Sequence, residues 1–188
     1  MSMENPTPGN ERSASEKIKN VGKRLMDLEV ELKGRMESWE EEKAEALAFK
    51  RTIEKANEEL LASTADPKND AVELYLQVEE NIREVSKKFK LLIEPLNGLR
   101  LSGTTGIDIL RRDLELFQDV LTGEEKEMGA QLSMRIATVE SMFSEDYVRA
   151  SKEIELIMAK CDAALKNVAQ MRGEYERDRK TGESESSS

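Results

Sequence analysis

Few side chains in this sequence suit chemistry, and their spacing narrows the options further. There is one cysteine, Cys161, and no histidine. A nucleophilic thiol needs a pKa lowered by histidine or a nearby cation, and histidine is also the commonest general base. Cys161 instead falls on an apolar stripe between Ile157 and Leu165, the setting of a buried, inert thiol. Zinc takes His and Cys ligands, and di-iron bundles use Glu-x-x-His pairs; the chain has neither set. Glu40-Glu41-Glu42 reads as a solvated acidic face with one acid intruding on an apolar seam. The stretch Gly98-Leu-Arg-Leu-Ser-Gly103-Thr104-Thr105 has the glycine spacing of a phosphate-binding loop. Thr104 stands where that loop needs lysine, and no strand precedes it, so the reading is a flexible turn between helices. Lys87-Lys88-Phe89-Lys90, with Arg83 one turn earlier, is the only basic cluster, and Glu84 is placed to pair with Lys88. These residues predict a non-enzyme with no catalytic residue, no metal, no cofactor and no small-molecule substrate.

Composition says what would hold such residues. Of 188 residues, 36% are charged and 4% aromatic, which is the composition of long helices rather than of a broad globular core. The net charge of −10 is spread along the chain. Without a basic stripe there is no source of counterion release from nucleic acid and no attraction to an anionic membrane. No apolar run approaches the roughly 18 residues that would suggest a membrane span. The polar N-terminus MSMENPTPGNERSASEK lacks the apolar core of a signal peptide. With a single cysteine, the expectation is a protein of the cytoplasm or nucleus.

The strongest pattern is a seven-residue beat. Every seventh position from Ile18 gives Ile18, Leu25, Leu32, Trp39, Ala46, Ile53 and Leu60. Three positions later stand Val21, Leu28, Arg35, Glu42, Phe49 and Ala56, so two charges interrupt the second row. A stripe this long and narrow is a coiled-coil seam. A second stripe runs through Tyr75, Val78, Ile82, Val85, Phe89 and Leu92, and a third through Ile154, Ile157, Cys161, Val168, Met171 and Tyr175.

Punctuation divides the chain. Residues 1–12, with Pro6, Pro8 and Gly9, read as a disordered tail, and 181–188 as a disordered, acidic, serine-rich one. Between them, 13–180 reads as one helical domain. Ser13-Ala-Ser-Glu16 matches a capping box. Asp66-Pro67 is a second helix start, with Asp70 as the alternative cap. Pro95 ends or kinks the next segment, and Thr122-Gly123 interrupts again. Helical segments are expected at 13–62, 69–94, 107–121 and 124–178. Short connections make neighbours antiparallel. The fold class is therefore all-α: an elongated antiparallel helical bundle or coiled coil of about three long segments.

The function expected is helix–helix association with protein partners, as a homo- or hetero-oligomer. The chain reads as a coiled-coil scaffold or complex subunit acting through Ile18, Val21, Leu25, Leu28, Leu32, Trp39, Phe49, Ile53 and Leu60, joined by Ile154, Ile157, Val168 and Tyr175. The alternative is a self-contained bundle, an adaptor or pathogen factor, that recognises one protein through a surface groove. A ligand-binding bundle is the third reading.

Overall fold

In the computed structural model the described residues are 9–186, with side chains from Ala14 onward. The fold is an all-α helical bundle. Its α-helices are α1 (Gly9–Ser63), α2 (Ala71–Lys90), α3 (Ile93–Glu115) and α4 (Glu124–Ser186), with a 3-10 turn at Gln118–Val120. The expected tail segments 1–8 and 187–188 lie outside the described residues. The described chain divides into two compact units, one of residues 9–38 and 96–149, the other of 39–95 and 150–186.

Several element boundaries differ from those expected. Helix α1 starts at Gly9, so residues 9–12, expected in the tail, and the expected start at Ser13 lie inside it. Ala14, in the second turn of α1, is 4% exposed and packs in the core of the first unit. Helix α2 takes the alternative cap: Asp70 Oδ1 accepts from the amides of Val72 at 3.1 Å and Glu73 at 3.4 Å. Asp66 instead accepts from the Lys68 amide in the preceding turn. Helix α4 continues to Ser186, past the expected end at 178 and into the segment read as a tail. There the hydroxyls of Thr181 and Ser186 donate to carbonyls four residues back, and Arg179 pairs with Glu183.

The largest correction is at 97–106. The segment read as a flexible turn is helical and lies within α3. Pro95 occupies the first turn of that helix, where its missing N–H costs nothing. The interruption falls just before it, at Leu91–Leu92. In the first unit the buried residues of α3 are Leu96, Leu99, Gly103, Ile107, Leu110 and Leu114, an unbroken three-four spacing in which Gly103 holds a core position. A Cβ on Gly103 would lie 2.8 Å from Cζ of Phe143 on α4, and one on Gly106 would lie 2.9 Å from the methyls of Leu28 on α1. The glycines are thus the places where neighbouring side chains lie across α3.

Around them the first unit packs Ile18, Val21 and Leu25 of α1 with Ile107, Leu110 and Leu114 of α3 and Leu132, Ile136 and Val139 of α4. Arg24 bonds Asp113, while Arg35 lies nearest Gly98, so α1 and α3 are antiparallel. Tyr147 donates to Asn97 and Arg111 pairs with Glu140, so α3 and α4 are antiparallel as well. Gly123, at φ +55°, gives the left-handed residue that starts α4. Helix α3 ends at Glu115 rather than 121, and Phe117 and Leu121 turn inward beyond it.

The second unit packs Trp39 and Ala46 of α1, Tyr75, Val78, Ile82, Val85 and Phe89 of α2, and Ala150, Ile154, Cys161 and Val168 of α4. The Trp39 indole is 3% exposed, and its Nε1 donates to the Leu92 carbonyl at 3.0 Å, beside the interruption between α2 and α3.

Two tests follow from this packing. Ala at 98 meets only an Arg35 guanidinium at 4.0 Å, so Gly98→Ala should raise stability by up to about 1 kcal/mol in urea unfolding. Gly103→Ala should lower it by roughly 1–3 kcal/mol despite the same gain in helix propensity, because the Phe143 ring must move; equal effects at both sites would refute the close contact. Trp39→Phe removes one buried donor and should cost about 1–2 kcal/mol in the same assay.

Candidate interaction groove

Most of the seam residues named from the sequence lie against the chain's own helices. In the first unit Ile18, Val21, Leu25 and Leu32 are buried and Leu28 is half-buried over Gly106. In the second unit Trp39, Ile154 and Val168 are buried. Phe49, Ile53, Leu60 and Ile157 are half-buried, with Lys88 Nζ 4.7 Å from the Phe49 ring centre. Tyr175 is exposed, its ring centre 6.3 Å from that of Tyr75.

Beyond Trp39 the seam changes register. Ala46 remains buried, but the second row moves one residue along: Glu42 is exposed, whereas the Lys43 side chain is 12% exposed and Asn57 is buried. A helix with 3.6 residues per turn drifts against a strict seven-residue repeat, and without supercoiling the inner row must eventually slip. The slip brings polar groups inward, and each has a partner. Lys43 bonds Glu40 at 2.5 Å and Glu153 at 2.6 Å. Burial depresses the Lys43 pKa, but these two carboxylates more than offset it, so the net shift is upward. Asn57 accepts from Asn81 at 2.8 Å, joining α1 to α2.

A second polar tie joins α2 to α4. The Glu79 side chain is 4% exposed; it accepts from Arg172 Nε at 2.8 Å and pairs with Arg83 at 3.2 Å. The hydrogen bond to Glu79 raises the Arg172 pKa above its usual value. Apolar periodicity alone does not disclose this pair. Its signal was present: Glu79 sits four residues after Tyr75 and three before Ile82, on the apolar stripe.

Between α1 and α4 the second unit opens into a groove of 360 Å³. Val78, Ile82 and Val85 of α2 form its floor, and Ile53, Leu61, Ala164 and Val168 line its walls. The rim carries Lys50, Glu54 and Glu58 on one side and Lys160 on the other, with Lys50 paired to Glu54. The sequence pointed to Ile53 and Val168 but not to the α2 floor, because a stripe says that a residue is covered and not how fully.

The groove's chemistry is that of an apolar receptacle. Cys161 lines it and is 5% exposed. Burial pushes its thiol pKa up, against the small opposing pull of Lys50. Among the described residues no three His, Cys, Asp or Glu side chains gather as a metal site. Among the same residues no helix is long and apolar enough to cross a membrane.

The sequence matches no protein-family model, and no curated protein or solved structure is detectably similar to it.

A raised pKa and burial both suppress the thiolate. Alkylation of Cys161 by iodoacetamide at pH 8 should be at least about tenfold slower in the native protein than in denaturant. The folded state holds the thiol proton more tightly, so this group's contribution to stability is complete below the ordinary pKa of 9.0 and is lost as pH rises through the raised value. Equal native and denatured alkylation rates would contradict the buried placement.

Proposed function

We propose that this chain is a non-enzymatic, self-contained helical adaptor that binds an amphipathic helix of another protein in the groove between α1 and α4 of the second unit. The observation that carries the reading is the groove's construction: an apolar floor from α2, apolar walls from α1 and α4, and a rim of mixed charge. An amphipathic helix lays its apolar face into such a groove through residues spaced three and four apart. It would cover the half-buried Ile53, Leu61 and Ala164, and its polar flanks would meet Lys50, Glu58 and Lys160. The scaffold reading, in which the Ile18–Leu60 seam docks on partner helices, has less support, because the chain's own helices bury much of that seam. An intracellular location belongs to the same proposal and rests on the single, unpaired cysteine.

The test uses a displayed library of amphipathic helical peptides, with a photo-crosslinking residue placed at Ala164 or, as a control, at the exposed Leu76 of α2. A selected peptide should crosslink from 164 and not from 76. Ala164→Arg should weaken its binding at least about tenfold while leaving the thermal melt unchanged. Crosslinking from 76 alone, or binding indifferent to Ala164→Arg, would overturn the proposal. So would displacement of every peptide by a copurifying small apolar molecule, since the volume lies within the range of roughly 300–1,000 Å³ typical of ligand pockets.

A further inference from the structure

The first unit carries a different exposed face, formed where α1 lies beside α3. Two shallow depressions of 250 Å³ each open there, and Arg24 lines both. The Arg24–Asp113 ion pair, at 2.5 Å, divides one from the other. On the α3 side Ile109 is 44% exposed and Leu116 is 79% exposed. On the α1 side Lys17 stands at one end and Asp27 and Glu31 at the other. Lys17 and Asp27 have no ion-pair partner among the described residues, and Glu31 has a single one at 3.5 Å, to Arg35.

The spacing along the two helices is self-complementary. Arg24 lies midway between Lys17 and Glu31, and Arg112–Asp113 lies midway between Ile109 and Leu116. Both midpoints fall at the same ion pair. We infer that this face binds a second copy of the chain across a twofold axis that lies in the interface and crosses α1 and α3 at Arg24 and Asp113. Such an axis sets each helix antiparallel to its own copy. Lys17 then meets Glu31 of the other chain, with Asp27 beside it, and Ile109 meets Leu116. Every contact occurs twice, as in any isologous interface. The two Arg24 side chains approach near the axis, and the two Asp113 carboxylates neutralise them. A lone basic or acidic face would not pair with itself. This face has a basic end and an acidic end, with the Arg24–Asp113 pair between them beside Arg112, Ile109 and Leu116, and an antiparallel copy sets each end against its opposite.

The size of the face sets the affinity to expect. From Lys17 to Glu31 the strip is about 21 Å long and roughly 20 Å across two helices. That is below the roughly 800 Å² per partner of a standard stable complex, so the dimer should dissociate in the micromolar range.

The test is light scattering coupled to size exclusion on the full chain, from about 1 to 200 μM. The mass should move from one chain to two across that range and shift back toward one in high salt. Leu116→Glu and Ile109→Glu alter exposed residues, and each should hold the mass at one chain without changing the circular dichroism. Lys17→Glu or Glu31→Lys alone should weaken association about tenfold, since each change acts at two symmetric contacts. The double variant Lys17→Glu/Glu31→Lys should restore it, because the exchanged charges again face each other. Ala164→Arg, in the other unit's groove, should leave the mass unaltered, which separates this inference from the proposed peptide groove. A one-chain mass at every concentration would overturn the inference. So would a dimer indifferent to Leu116→Glu, or a double variant weaker than both single ones.

Discussion

A helix whose apolar stripe is one or two residues wide closes a core only if its neighbours come close. In the first unit glycine sets that distance. At Gly103 the Phe143 ring occupies the space a side chain would take, and at Gly106 the Leu28 methyls do so. Leu96, Leu99, Ile107, Leu110 and Leu114 on the same helix supply the apolar surface between and beyond these contacts. With 4% aromatic residues the chain has little bulk with which to span a wider gap. Close approach substitutes for large side chains, and the cost is a stretch of poor helix formers, Asn97 to Gly106, held helical by what it packs against.

That cost explains what was legible in the sequence and what was not. The all-α class, the stripes on α1, α2 and α4, and the breaks near Pro67, Pro95 and Gly123 all follow from periodicity and local backbone chemistry. The segment 97–106 did not, because local propensity and tertiary packing disagree there. A glycine at a core position looks like a breaker until the residue lying over it is known, and Phe143 is 40 residues away. The groove was legible only in part for a related reason. Ile53 and Val168 were visible as stripe residues, but that α1 and α4 leave a gap over Val78 and Ile82 depends on the distance between helices far apart in sequence.

The second unit manages its narrow stripes differently. Its interior admits polar groups: Lys43 between two carboxylates, Asn57 with Asn81, and Glu79 with Arg172 and Arg83. Among the described residues no buried side-chain nitrogen or oxygen lacks a partner. Such groups add little net stability over apolar replacements, but each tolerates only the pairing that satisfies it. Asn57 opposite Asn81 fixes α2 along α1, and Glu79 opposite Arg172 fixes α2 along α4. A slide by one turn would leave a buried charge and two amides unmatched. Heptad stripes alone allow such slides, so the polar pairs select among packings that the apolar residues would otherwise accept.

Trp39 is the only tryptophan, and it donates its indole hydrogen to the Leu92 carbonyl beside the interruption between α2 and α3. Excited at the red edge, where the three tyrosines do not absorb, the protein therefore reports from one indole at the discontinuity in the backbone that follows α2. Its emission wavelength and quenching report whether the Leu92 carbonyl is held or released. Circular dichroism, dominated by the long helices, averages over the whole chain and is nearly blind to that event. One optical signal thus follows the interruption while the other follows the bundle, and a difference between the two transitions on heating would separate local opening from global unfolding without any label being introduced.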